Sequence, residues 1–139
     1  MLDDRTGSTK QVPWPIGHYV WTAKMNRVGW TCHLGVPAGS DEVPYGAVPA
    51  RVGNLENLPA TFIGVGSVDL FHDEDVEYAS RLRKSGVEVR LCLVPGAYHG
   101  FDSLAPETEC SRYFINAWSD LLIKIFADER IDRSATTEL

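Results

Sequence analysis

Two ionisable side chains each follow an apolar run, at a point where a buried strand should end. Asp69 comes after the run FIGV at residues 62–65, and His99 comes after the run LCLV at residues 91–94. Groups at the carboxyl ends of parallel strands meet at one edge of the sheet, and neighbouring strands lie ~4.8 Å apart. We therefore expect a hydrogen bond between the Asp69 carboxylate and the His99 imidazole. Such a carboxylate fixes the imidazole tautomer and stabilises the cation that forms when the ring takes a proton from a nucleophile.

The nucleophile that this pair would serve is missing from the sequence in its usual form. No serine lies in a Gly-x-Ser-x-Gly elbow, and no His-Gly-Gly loop precedes the pair. Ser67 precedes Asp69 by two residues, but no sharp strand-to-helix turn follows to expose its hydroxyl, and no oxyanion donors are evident. The sequence therefore predicts the acid and the base of a hydrolytic site without the nucleophile.

Both assignments have a structural alternative. An Asp after a strand can cap the next helix, although Asp73 is better placed for that role. A lone His is usually structural, but His99 follows a strand in step with Asp69. The other histidines have no such partner and are expected to be surface or packing residues: His18, His33 and His72.

Metal and cofactor sites are not indicated. Consecutive side chains of the run HDED at residues 72–75 point in different directions on a helix, and no His-Glu-x-x-His is present. The run GVG at residues 64–66 lies inside a strand and lacks the third glycine of a dinucleotide loop. We expect no metal and no cofactor. Three tryptophans could line an acyl pocket, although buried aromatic residues are more often plain core: Trp14, Trp21 and Trp30.

The sequence pattern predicts an α/β protein whose parallel strands are joined by a right-handed crossover. We expect a loop at residues 1–17, a helix and an irregular connection at 18–59, a strand-helix-strand-helix core at 60–127 and a frayed tail at 128–139. Within these ranges, the strands are predicted at 61–66 and 87–94. Helices are predicted from Thr22 to Leu34, from about Asp73 to Ser85, and from Pro106 onward. In the second strand, the valine and leucine face should be buried and the Cys92 face only half covered.

Composition excludes several classes of protein. The 139 residues, 44% of them apolar, fit one globular domain, and the net charge of -6 argues against nucleic acid as a partner. The first residues are charged rather than apolar, and no run approaches the ~20 apolar residues of a membrane span. These features predict a cytoplasmic protein without a membrane span. Its three cysteines should be reduced and mostly buried, since no Cys-x-x-Cys pair is present.

A sheet of two parallel strands cannot cover its own apolar faces. Either further strands belong to the fold, or a partner supplies them. We accordingly expect self-association through an exposed sheet edge.

Two segments resemble one enzyme family. The sequence LPATFIGVGSVDLFHDE at residues 58–74 is similar to the Leu-Pro-Pro-x-x-Ile-x-x-Gly-x-x-Asp-x-Leu-x-Asp-Glu stretch of bacterial hormone-sensitive-lipase-type esterases, with Ala60 in place of the second proline. The sequence YHGF at residues 98–101 matches their histidine motif, and MLDDR at residues 1–5 resembles an earlier segment. The similarity covers nearly the whole chain but only the carboxy-terminal part of the α/β-hydrolase fold, with two recognisable parallel strands and flanking helices.

The resemblance implies a role for each residue of the pair. Asp69 would be the triad acid and His99 the general base, acting on a small-molecule carboxylic ester through an acyl-enzyme on a serine. We expect that serine and the oxyanion loop to lie upstream of Met1, so the chain alone should be inactive. The alternative is a non-catalytic relative that acts as an interaction module through an unpaired sheet edge.

Overall fold

The computed structural model describes residues 1–135, with side chains as far as residue 127. Two compact units make up the chain, Met1–Phe101 and residues from 102 onward. The first unit contains α1 (Ala23–Leu34), a short 3₁₀ turn (Pro49–Arg51), β1 (Thr61–Gly66), α2 (His72–Lys84) and β2 (Val89–Val94). A short helix, α3 (Phe101–Leu104), and a long helix, α4 (Glu109–Ala135), follow. No helix among the described residues is both long and apolar enough to cross a membrane.

The two strands pair in parallel, which confirms the predicted α/β class. Their register runs from Thr61 opposite Val89 to Gly66 opposite Val94, and α2 forms the crossover between them. One side of α2 packs on the strands through a core of Leu55, Leu82 and Val87, joined by Ile63 and Val89. Both strands end at the same edge of the sheet, where the two candidate residues follow.

The sides of β2 are covered differently from the prediction. Cys92 and Val94 are buried, whereas Leu93 is 42% exposed. Near the end of the strand, the Cys92 face, which was expected to be half covered, is therefore more deeply buried than the face that carries Leu93. The alternation in sequence correctly groups residues by face, but it carries no information about which face a neighbouring element covers. The cysteine prediction is also only partly right: no disulfide forms, Cys92 is buried, and Cys32 is exposed.

Helix α1 begins and ends where its capping residues predict. The Thr22 hydroxyl accepts the backbone N–H of Met25, and Gly35 closes the helix in the left-handed conformation at φ 72°. Trp30 and Leu34 bury their side chains against Val48 in a separate core cluster. The helix therefore anchors the irregular connection that follows it.

Helix α2 begins without the predicted cap. Phe71 occupies the N-cap position and makes no side-chain capping bond, while Asp73 lies inside the first turn. Three acidic residues in the first turn and three basic residues in the last turn complement the helix dipole instead. At the far end, Arg81 donates to the carbonyls of Ala50 and Val52, which ties the helix to the 3₁₀ turn.

The long helix α4 begins later and ends later than predicted. Pro106 lies before the helix, because the Thr108 hydroxyl accepts the backbone N–H of Ser111 and sets the start at Glu109. Residues 128–135, expected to be a frayed tail, continue the helix to Ala135. The last part of the predicted tail, residues 136–139, lies outside the described residues.

Residues 1–17 contain no helix or strand, but two of their carboxylates are buried. Asp4 is fully buried and accepts hydrogen bonds from Arg51 at 2.7 and 2.8 Å and from the Gly39 N–H at 2.8 Å. Burial raises the pKa of Asp3, but hydrogen bonds from Arg5 and Lys10 outweigh it and leave that pKa below its usual value. The segment is thus a packed part of the first unit, which composition alone did not indicate.

Replacing Arg51 should destabilise the fold strongly. In Arg51→Ala, the Asp4 carboxylate stays buried without its guanidinium partner, and we expect a loss of about 3 kcal/mol in the free energy of unfolding. Urea unfolding followed by tryptophan fluorescence measures it. The exposed Lys24 gives a matched control, Lys24→Ala, expected to change stability by less than about 0.5 kcal/mol. Equal stabilities of the two variants would contradict a structural role for the Asp4 pair.

Candidate functional site

The structure brings Asp69 and His99 into contact. The Nδ1 atom of His99 lies 3.1 Å from Oδ2 of Asp69, and Asp69 is only 7% exposed. The other carboxylate oxygen, Oδ1, accepts the backbone N–H of Phe71 at 3.0 Å. Since an ionised carboxylate only accepts hydrogen bonds, Nδ1 carries the proton and Nε2 is the basic nitrogen. Asp69 therefore supports the turn into α2 with one oxygen and holds His99 with the other.

Backbone hydrogen bonds fasten the two loops to each other. The N–H of Ser67 donates to the carbonyl of Val94 at 2.9 Å, and the N–H of Val68 donates to that of Ala97 at 3.0 Å. The N–H of Gly96 donates to the Ser67 hydroxyl at 2.8 Å. These bonds extend the pairing of the strands past their ends. The distance between Asp69 and His99 is thus set by the backbone rather than by the two side chains alone.

Gly66 makes this close approach sterically feasible. A Cβ atom built at Gly66 would lie 2.1 Å from the Ala97 carbonyl oxygen and 2.5 Å from its carbonyl carbon. Both contacts are with backbone, which cannot rotate away as a side chain would. The last residue of β1 must therefore be glycine for the two loops to meet.

Aromatic rings surround the imidazole. The centroid of the Phe71 ring lies 5.3 Å from that of His99 in an edge-to-face arrangement, and the Trp21 ring lies 5.9 Å away. The His99 side chain keeps 36% of its surface exposed. The ring is held in one orientation on its Asp69 side while part of it remains accessible to a reactant.

A cavity of about 390 Å³ opens beside the pair. Its lining combines the two candidate residues with β1 backbone, aromatic rings and a second acid: Met1, Trp21, Gly64, Val65, Asp69, Phe71, Asp75 and His99. Its volume lies within the range of small-molecule sites, ~300–1,000 Å³. The arrangement offers a general base, its orienting acid and space for a small organic molecule.

Asp75 is the cavity residue that the sequence analysis missed. Its pKa is raised from 3.8 to about 7, first by burial and then by the neighbouring Glu74 carboxylate. The acidic run HDED predicted only the start of a helix. A usable signal was available, because Asp75 lies one turn after Phe71 and helical residues four apart share a face.

The other candidate residues, except Trp21, lie apart from this cavity. The Ser67 hydroxyl accepts the backbone N–H of Gly96, and Ser67 does not line the cavity. His72 pairs with the exposed Asp73 at 2.8 Å. Of the tryptophans, Trp21 lines the cavity, Trp30 is 3% exposed and belongs to the core, and Trp14 is 75% exposed. Within residues 1–135, no three His, Cys, Asp or Glu side chains form a group able to hold a metal ion.

Comparison with known proteins establishes the family. A family model described as the alpha/beta hydrolase fold matches residues 1–103. The chain therefore belongs to the α/β-hydrolase fold family, which confirms the resemblance to hormone-sensitive-lipase-type esterases.

Solved and curated relatives agree with this assignment. The structure of esterase LipW from Mycobacterium marinum is 32% identical, with a TM-score of 0.73 over 91% of this chain and 38% of LipW. A bacterial heroin esterase is 31% identical, with a TM-score of 0.69 over 81% of this chain and 36% of the esterase. Lipase 2 of Moraxella sp. (strain TA144) is 28% identical over 111 residues, which are 77% of this chain and 24% of the lipase. The chain thus spans between 24% and 38% of the length of these relatives.

A methyl group at Gly66 should separate the two loops. In Gly66→Ala, the new Cβ collides with the Ala97 backbone, and we expect a loss of at least about 2 kcal/mol in stability. The separation of Asp69 and His99 should also release the Nδ1 proton to solvent, which NMR detects as the loss of a slowly exchanging imidazole resonance. Gly53→Ala is the matched control, because nothing lies within 4 Å of a Cβ at Gly53. An unchanged imidazole resonance in folded Gly66→Ala would contradict this account.

Replacing Asp75 should stabilise the protein in a pH-dependent way. The folded state keeps the Asp75 proton up to about pH 7, whereas the unfolded state releases it near 3.8. The contribution of this group to stability is therefore present at low pH and is lost as pH rises through 7. We expect Asp75→Asn to exceed the wild type by ~1–2 kcal/mol at pH 8 and to match it at pH 4. Thermal unfolding at both pH values measures the difference, and Asp73→Asn, at an exposed site, should show none.

Proposed function

We propose that this chain supplies the acid and the base of a carboxylic ester hydrolase, with Asp69 as the acid and His99 as the general base. The observation that carries the proposal is the 3.1 Å contact between them at the carboxyl ends of β1 and β2. The esterase and lipase relatives support the same class of reaction. The serine and the oxyanion donors would come from polypeptide outside these residues.

The geometry supports a two-stage acyl transfer. In the first stage, Nε2 of His99 takes the proton of the serine hydroxyl while the oxygen attacks the ester carbonyl. The Asp69 carboxylate stabilises the resulting imidazolium, which then gives the proton to the departing alcohol as the bond from carbonyl carbon to alkoxy oxygen breaks. In the second stage, His99 takes a proton from water, the hydroxide attacks the acyl-enzyme, and the proton returns to the serine as the acid leaves.

The chain alone should not hydrolyse esters. An acid and a base without a nucleophile have no covalent route, and missing oxyanion donors alone cost ~10²–10³ in rate. We expect no turnover of p-nitrophenyl acetate above buffer by residues 1–139. Turnover that disappears in His99→Ala would contradict the proposed dependence on an external serine.

Joining the chain to the missing part should restore activity. We would fuse it behind the portion of LipW that precedes the matched region and assay the chimera with p-nitrophenyl acetate. His99→Ala should reduce kcat/KM by at least ~10²-fold, because the proton of the serine then has no acceptor. Asp69→Asn should also reduce it, although an asparagine oxygen can still accept the Phe71 N–H and preserve the turn. His33→Ala, on the exposed side of α1, is the control; equal activity of His99→Ala and His33→Ala would refute the assignment.

A second candidate is a non-catalytic interaction module that adds a strand from a partner to its sheet. The observation that favours it is the sheet of the described residues, which has two strands, fewer than the three or more that an independent sheet needs. Size-exclusion chromatography with light scattering tests whether the chain associates with itself through the sheet edge. A monodisperse monomer with a cooperative melt would count against self-association through the sheet.

A further inference from the structure

The cavity beside His99 contains a second carboxyl group that the proposed reaction does not use. Asp75 lies in the first turn of α2, and its side chain makes no hydrogen bond or ion pair with any residue that the structure describes. Asp73, two residues earlier on the same helix, has His72 as its partner. Asp75 is thus the acid of this turn that faces the cavity without a partner.

The charges around Asp75 leave the cavity short of positive charge. The carboxylates of Glu74 and Asp69 oppose its ionisation, while the Met1 ammonium and His72 favour it. Burial, reinforced by the repulsion from Glu74 and Asp69, raises the pKa of Asp75, so the carboxyl stays protonated to a higher pH than usual. A cation placed in the cavity would relieve this repulsion and favour the ionised form.

Aromatic rings give the same cavity a second means of holding a cation. Trp21 and Phe71 both line it, and both also contact the His99 ring. A quaternary or protonated amine gains both from an aromatic face and from a nearby carboxylate. A neutral group of the same shape gains only the apolar contact.

We propose that Asp75 is a specificity-determining residue that selects carboxylic esters bearing an ammonium group. The ester carbonyl would lie at His99, and the ammonium would lie at Asp75 against Trp21. This inference rests on the proposed function for the position of the ester, but binding itself needs no serine. A volume of about 390 Å³ accommodates an ester of this size.

Two esters that differ only in charge test the proposal on the full chain. Acetylcholine carries a trimethylammonium group, and 3,3-dimethylbutyl acetate carries a neutral tert-butyl group of nearly the same shape. Titrations followed by the NMR resonances of the Trp21 indole and the His99 ring give a dissociation constant for each. At pH 8 we expect the ammonium ester to bind about five- to tenfold more tightly.

Asp75→Asn should bring the ratio of the two dissociation constants close to one. Asp73→Asn, the same substitution at an exposed position of the same turn, should leave the ratio unchanged. Because Asp75→Asn is expected to be at least as stable as the wild type, its loss of selectivity cannot come from unfolding. In the wild type, the preference for the ammonium ester should fall from pH 8 to pH 6 as Asp75 takes up its proton. The pH dependence measured in Asp75→Asn gives the contribution of all other groups and is subtracted.

The outcomes separate this inference from the proposed function. Equal binding of the two esters, no saturable binding of the ammonium ester, or the same loss of selectivity in Asp73→Asn would each overturn the role of Asp75. The role of His99 is judged independently by the activity of the LipW chimera. A chimera that depends on His99 but does not prefer the ammonium ester would retain the first proposal and refute the second.

Discussion

The approach of two backbones at Gly66 and Ala97 determines the rest of the site. A Cβ atom at Gly66 would lie 2.1 Å from the Ala97 carbonyl oxygen, so the sheet can continue into two fastened loops only with glycine there. Hydrogen bonds from Ser67, Val68 and Gly96 then fix one loop on the other. Asp69 and His99 need little freedom of their own to meet, and preorganisation of this kind is what the proposed proton transfer would require.

Buried carboxylates hold the supporting structure in a similar way. Glu74 accepts the Leu2 N–H at 2.6 Å, and Asp4 accepts Arg51 and the Gly39 N–H. Helix α2 therefore begins at the site and also fastens the first residues of the chain, which in turn hold the 3₁₀ turn. Acidic groups at these positions are costly to bury alone. Asp4 has donors on both carboxylate oxygens, whereas Glu74 has its donor on Oε1 and none on the buried Oε2 among the described residues. The irregular segments of this chain are ordered by polar contacts more than by regular secondary structure.

The sequence predicted the pair well because strand ends are a strong constraint. Apolar runs located β1 to the residue, and the parallel order then placed Asp69 and His99 at one edge. The sides of β2 were not predictable in the same way, since alternation groups Leu91 with Leu93 but cannot say what covers them. The start of α4 was missed because Pro106 is a good first helical residue, yet the Thr108 hydroxyl captures the Ser111 N–H three residues into the helix. The alternation of residue types thus predicted the geometry within an element. Which face of the element is buried, and where a helix begins, depended on residues outside that alternation.

Asp75 illustrates why a cavity residue is hard to recognise from sequence and informative once seen. In the run HDED, four polar residues suggest an exposed helix start, and Asp73 fits that description. Only packing places Asp75 in the cavity that Trp21 and Phe71 also line, where burial and the Glu74 carboxylate raise its pKa to about 7. A residue that is expected to lower stability at neutral pH, and whose side chain has no partner among the described residues, contradicts the consistency expected of a purely structural position. Asp3 and Asp4 are more deeply buried than Asp75, but both accept hydrogen bonds from basic side chains and from backbone N–H groups. Because Asp3 and Asp4 have partners within the same unit and the Asp75 side chain has none among the described residues, we look for the partner of Asp75 in a ligand.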